Sequence, residues 1–184
     1  MRNDVLDIRV SKTLASLAGA MQDLLEKKNF HRITVNDICK QAIVSRSTFY
    51  TYFDDKYRLM HYCLEQERQK LDEAVRSMAL RDYVRMVLTT TYERRRILRN
   101  FLNAEADAEL INMFKTFFHE HFSDLLAKNA RGGAALAGSI PLLAAFYSGG
   151  LTNMIIWWIE DGCSVPIEEI AACQYNLLEG LWAL

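Results

Sequence analysis

Proline and glycine are scarce in this chain, two and eight of 184 residues. So few breakers exclude a β-architecture with many tight turns and favour long helices. The four cysteines, Cys39, Cys63, Cys163 and Cys173, form no CxxC pair. Neither a zinc ribbon nor a disulfide framework is encoded, and reduced thiols in a cytoplasmic protein are expected. The sequence contains no GxSxG, P-loop, HExxH or GxGxxG motif. Absence of motifs is not absence of activity, but an enzyme is the less expected class and no cofactor is expected. Met1 to Val10 carries four charges, which does not suit a secretory or transit peptide. Charge is also missing between Arg131 and Glu160, a window long enough to span a bilayer. Ser139, Pro141, Ser148, Gly149, Gly150, Thr152 and Asn153 interrupt it, so a buried interface helix is expected rather than a membrane span.

What is present is apolar mass: 51% of the residues are hydrophobic, enough for a packed core. The net charge is -1 with a pI of about 6.4, which excludes a generally basic nucleic-acid coat protein. Its distribution is uneven. Through Met60 there are ten basic and seven acidic residues, so the N-terminal third is about +3 and the remainder about -4.

The apolar periodicity is helical throughout. Val10, Leu14, Leu17, Met21 and Leu24 step by four and three, with Asn29 suited to a left-handed cap. Thr34 and Asp37 read as a capping box, starting a helix at Val35 whose inward side carries Ile38 and Ala42. Ser45 caps the next helix almost at once, and Asp54 or Asp55 a third that runs through Tyr57, Met60, Leu64 and Leu71. Further helices are predicted over Tyr83 to Leu102, Asp107 to Ala127, Ile140 to Ile159 and from Pro166 onward, with "KNARGGAALAGS" as a loop. The fold class is all-α.

A short helix, a tight turn and a short helix make the helix-turn-helix arrangement. Its second helix, "SRSTFYTYF" from Ser45 to Phe53, puts Phe49 and Phe53 one turn apart, facing inward. Arg46 with Tyr50, and Ser47 with Thr51, form i, i+4 pairs on the outer side. Hydroxyls and backbone N–H groups at a helix start can hold phosphate oxygens. An arginine there can grip guanine through two bonds, worth roughly 1–3 kcal/mol of discrimination. The competing reading of the same residues is a solvated helix with two core aromatics.

"ITVNDICKQAIVSRSTFYTYFDDKYRLM" resembles the DNA-binding signature of the TetR family of bacterial transcriptional regulators, over about Val10 to Leu64. The resemblance implies a helix-turn-helix domain in residues 1–55 and a helical ligand-binding and dimerisation domain in residues 56–184. It implies that Arg46, Ser47 and Thr48 face base edges, with Thr34, Asn36, Ser45, Tyr50, Tyr52 and Lys56 near phosphates. Packing competes with phosphate contact for Tyr52, and an ordinary surface position for Lys56. Where the family usually has a turn glycine, this chain has Ile43; either the turn avoids positive φ, or Ile43 packs into the small core.

The implied partners are a palindromic double-stranded operator, a second copy of the chain, and a small-molecule effector or regulatory protein. The family's last two long helices pack against their mates. That suggests Ser148, Gly149, Leu151, Ile155, Trp158, Leu177 and Leu178 as dimer contacts. "FYSGGLTNMIIWWIEDG" is similar to the branch that includes regulators of the dihydroxyacetone kinase operon, some of them activators controlled by a partner protein. Tyr92, Phe114, Phe117, Phe118, Phe146 and Tyr147 are the candidate pocket, with plain core packing as the alternative. In "FHEHF" the two imidazoles point about 200° apart on a helix, which argues against a metal site.

Overall fold

A computed structural model describes residues 2–102, 108–131 and 136–179. Among them there are nine α-helices and no strand. They form two compact units, Met1–Glu65 with Arg96–Leu110, and Gln66–Arg95 with Ile111–Leu184.

The first unit begins with α1 (Arg2–Leu25), whose Leu17, Met21 and Leu24 are buried as its spacing demands. Asn29 is not the left-handed cap that was expected. Its φ of -60° and ψ of 145° are extended, and it leads into a single 3₁₀ turn, Phe30–Arg32. The chain after α1 is closed instead by the N–H groups of Lys27 and Lys28, which both donate to the Leu24 carbonyl at 3.0 Å. Next come α2 (Val35–Ala42), α3 (Arg46–Tyr52) and the start of α4 (Lys56–Ser77). Asp55 is the cap of α4, accepting from the Arg58 N–H at 2.9 Å. Phe30, Phe49, Phe53 and Leu59 are buried in this unit. Burying one such side chain is worth about 1.5–3 kcal/mol.

The helix expected over Tyr83 to Leu102 is two helices, α5 (Leu80–Glu93) in the second unit and α6 (Arg95–Phe101), which falls in the first from Arg96 on. They break at Arg94, whose φ of -94° and ψ of 12° leave the helical range. The Arg94 guanidinium is held by Glu67 at 3.0 Å. α7 (Ala108–Arg131) runs further than expected and absorbs Lys128 to Arg131, which were expected to open a loop. The start predicted at Asp107 and the rest of that loop through Ala135 lie outside the described residues. α8 (Ile140–Glu160) ends through Gly162 and Cys163, both at positive φ, with the Cys163 N–H on the Trp158 carbonyl. α9 (Ile167–Glu179) closes the described chain.

Leu88, Phe122, Leu126, Ala144 and Trp158 are at the centre of this unit's core. Trp158 also donates its indole N–H to the Val165 carbonyl at 2.9 Å. Trp158, Ser148, Ile155 and Leu178, expected at the dimer contact, are buried within the chain's own fold. Leu151 is half-buried, Gly149 half-buried, and Leu177 exposed.

The candidate pocket residues do not converge either. Phe114 and Phe117 are buried in a cluster with Phe118, and Tyr147 stacks on Phe122. Phe146 is 73% exposed and Tyr92 points partly to solvent under the Arg95 guanidinium. α8 is long and apolar enough to cross a membrane by length and composition. Its Leu143, Ala144, Ile155 and Trp158 nonetheless pack into this core.

A buried polar relay also crosses the second unit. The Tyr83 hydroxyl lies 2.6 Å from His121 Nε2, and His121 Nδ1 lies 2.6 Å from Asp72. Arg68 then bridges Asp72 and Asp124 at 3.3 and 2.9 Å. Burial pushes the His121 imidazole below its ordinary pKa against the pull of Asp72, and pushes the Tyr83 phenol up. A neutral ring donating from Nδ1 to Asp72 leaves Nε2 to accept from the phenol.

Candidate nucleic-acid interface

Three local devices hold the short helices of the first unit in place. The first is the capping box of α2. The Asp37 N–H donates to Thr34 Oγ1 at 3.1 Å, and the Thr34 N–H donates to Asp37 Oδ2 at 2.9 Å. Lys28 Nζ reaches the same carboxylate at 2.8 Å. The lysine, followed by the Thr34 bonds, holds the Asp37 carboxyl well below the usual carboxylate range. Thr34 and Asn36 are exposed at the start of this helix.

The second device is the turn. The Val44 N–H donates to the Cys39 carbonyl at 3.0 Å and the Ile43 N–H to that of Lys40 at 3.3 Å, a Schellman closure. Such a closure puts a left-handed residue in the turn, and here it is Ile43, at φ 57° and ψ 45°. Neither expectation for Ile43 is met: the turn does adopt positive φ, and the side chain is 91% exposed rather than packed. Ser16 on α1 donates to the Ala42 carbonyl at 2.9 Å, which fixes the end of α2. Cys39 is small core filler, its thiol raised in pKa by burial.

The third device is the start of α3. Ser45 Oγ accepts the Thr48 N–H at 3.0 Å and pairs with the hydroxyls of Ser47 and Thr48, each at 2.8 Å. Phe49 and Phe53 anchor the inner side. On the outer side Arg46 Nη2 lies 3.4 Å from the Tyr50 hydroxyl, with the guanidinium carbon 5.8 Å from that ring's centre. Tyr50 is 49% exposed while its ring edge packs on Phe49. Arg46, Ser47 and Thr51 are exposed, and Thr48 and Tyr52 half-buried.

Lys56 stands apart from the group. Its ammonium donates to the carbonyls of Phe30, His31 and Ile33 at 3.0, 3.2 and 3.0 Å, and sits 4.6 Å from the Phe30 ring centre. All three of its N–H bonds are thereby used within the fold. Sequence reasoning assigned this lysine by position; its partners lie 23 to 26 residues earlier, beyond any local pattern.

Two capped short helices around a Schellman turn, the second presenting arginine, hydroxyls and tyrosine outward, are the geometry of a helix-turn-helix reader. Residues 17–63 match the family described as bacterial regulatory proteins, tetR family. Residues 79–180 match its transcriptional regulator C-terminal region. The chain belongs to the TetR family.

This TetR-family chain is thus a DNA-binding transcriptional regulator with an N-terminal helix-turn-helix and a helical C-terminal region. Regulators of this family bind DNA and typically act as dimers. Among curated relatives, the chain is 34% identical over 55 residues to the dhaKLM operon transcriptional activator DhaS of Lactococcus lactis subsp. lactis (strain IL1403). That stretch is 30% of this chain and only 29% of the relative. Among solved structures, a TetR regulator from Streptococcus agalactiae 2603V shares the fold with a TM-score of 0.67 and 22% identity, over 97% of this chain and 99% of that one. The dihydroxyacetone kinase operon activator DhaS shares it with a TM-score of 0.64 and 20% identity, over 90% and 93%.

Proposed function

We propose that this regulator binds an approximately palindromic operator as a homodimer, reading base edges with Arg46, Ser47 and Thr48. Thr34, Asn36, Ser45, Tyr50 and Tyr52 contact phosphates. An effector shifts the DNA-competent population, releasing a repressor from its site. The observation that carries this reading is the outer side of α3, where Arg46 and Tyr50 are exposed together while Phe49 and Phe53 fix the helix from within. An exposed arginine on the outer side of an anchored helix is suited to the two-bond grip on guanine. Lys56, with its donors committed, positions the 3₁₀ turn instead of holding phosphate.

Selection from a random duplex pool tests the proposal, followed by titrations of Arg46→Ala and Tyr50→Ala at several salt concentrations. A palindrome should emerge. Arg46→Ala should relax preference at one position per half-site, by about 1–3 kcal/mol. Tyr50→Ala should weaken all sequences alike. A pool that yields no palindrome, with both variants binding like the wild type, would overturn it.

The similarity to an operon activator favours a second reading, in which the bound regulator activates transcription. In-vitro transcription from a promoter carrying the selected operator separates the two readings by the sign of the response.

A further inference from the structure

The turn between α2 and α3 carries a residue that its own fold does not explain. Ile43 holds a left-handed backbone, φ 57° and ψ 45°, which a β-branched residue rarely adopts. At 91% exposure it is the most open large hydrophobic among the described residues. Packing within the unit therefore does not offset the strain. Strained residues of this kind cluster at functional sites, where a contact outside the free chain gives them a role.

The place of Ile43 in the chain limits what that contact can be. In a helix-turn-helix reader the second helix lies in the major groove with its first residues at the base edges, while the helix before it crosses the backbone. The turn that joins them stands at the edge of the same groove. Ile43 precedes Arg46 by three residues, at most about 11 Å of extended chain, and the groove is about 12 Å wide. Ser45, Arg46 and Ser47 are exposed alongside it. The turn is also held on both sides. The Val44 N–H donates to the Cys39 carbonyl at 3.0 Å, and Ser45 Oγ accepts the Thr48 N–H at 3.0 Å. Ile43 is thus fixed next to the base-reading side of α3 and continuous with it.

We propose that Ile43 is a specificity-determining residue whose side chain packs on the 5-methyl group of one thymine in each half-site. At about 3.4 Å per base pair, that thymine lies within about three base pairs of the base read by Arg46. The proposal rests on the base-reading role given to α3 above and adds an apolar contact to its polar ones.

Chemistry selects the base. The isoleucine side chain has no donor or acceptor, so the hydrogen-bonding pattern of a base edge is closed to it. The apolar feature that bases present in the major groove is the thymine methyl. A phosphate is a poor alternative, because hydrocarbon against it strips water from a charge and returns no bond. Glycine would suit this backbone better but would bring no apolar surface to the groove.

The full chain, Ile43→Gly, Ile43→Ala and Arg46→Ala are each taken through selection from a random duplex pool. They are then titrated on the wild-type operator with single thymines replaced by uracil, which removes the methyl group and keeps the pairing. For the wild type, uracil at one position per half-site should weaken binding about three- to fivefold, the loss expected for one uncovered methyl. Both Ile43 variants should bind the thymine and uracil operators equally, and their selected sites should lose the thymine. Ile43→Gly relieves the left-handed strain and Ile43→Ala retains it, so a loss shared by both belongs to the side chain and not to the turn. Thermal melts verify that both are folded. The proposal is overturned if the wild type tolerates uracil at every position, or if the Ile43 variants discriminate thymine from uracil as the wild type does. A uniform loss of affinity with that discrimination intact also overturns it, and assigns Ile43 to the sugar–phosphate backbone. Where the Ile43 contact fails, Arg46→Ala separates the two readings. If it still relaxes preference at its own position, base reading by α3 stands and the Ile43 contact alone falls. If it binds like the wild type, both fall.

Discussion

At the turn between α2 and α3 the backbone demands a left-handed residue, and the sequence supplies a β-branched one. For an L-residue that conformation costs roughly 1–2 kcal/mol. The Ile43 side chain recovers none of it, since nine-tenths of its surface faces solvent. Glycine would remove the strain at an entropic cost of about 0.5–1 kcal/mol. Ile43→Gly is therefore expected to raise stability by about 0.5–1 kcal/mol, a Tm gain of roughly 2 °C for a chain of this size. Ile43→Ala keeps the left-handed penalty and should gain little. Paired thermal melts of the two variants check this, and a fall in Tm for the glycine variant would show that Ile43 makes a stabilising contact. The position of Ile43 was legible as an anomaly in the sequence. Its resolution was not, because a residue type does not reveal which of two costs the fold accepts.

Among the elements, legibility followed sequence distance. The caps at Thr34, Ser45 and Asp55 bond to residues three positions on, so their spelling marked where α2 and α3 begin and narrowed the start of α4 to Asp54 or Asp55. The break at Arg94 and the relay from Tyr83 through His121 to Asp72 depend on partners 27 to 49 residues away, and no local pattern records them. α8 was legible as a helix but not in its orientation. Without a charged face, its periodicity cannot say which apolar residues turn inward, so Trp158 and Ile155 were placed outward and Phe146 inward.

Lys56 is the same lesson for the reader unit, and it can be tested. Replacing its ammonium by an apolar chain of similar length removes three bonds to carbonyls that close the 3₁₀ turn. Lys56→Met should cost about 2–3 kcal/mol in denaturant unfolding. Under conditions where the variant is folded, the salt dependence of operator binding should be unchanged. A slope lower by about one would mean that this lysine neutralises a phosphate after all.

For the whole molecule the decisive surface is the outward side of α8. Leu142, Phe146, Gly149, Asn153 and Trp157 step by four, three, four and four, one stripe along the helix, and Leu177 adds an exposed apolar side chain on α9. Exposed apolar side chains lined up in this way, Leu142, Phe146 and Trp157 with Leu177, call for a partner, and in a dimeric family the economical partner is a second copy. Phe146 is the largest fully presented residue on it, so a charge there opposes association without touching the core. Phe146→Glu is expected to leave the helical circular dichroism unchanged and to shift the sedimenting species from dimer to monomer. Each protomer would then hold one half-site alone. Two linked half-sites gain about 10²- to 10⁴-fold over one, so palindrome affinity should fall by that order while the base preference within a half-site persists. A variant that still sediments as a dimer and binds the palindrome undiminished would place the dimer contact elsewhere on the chain.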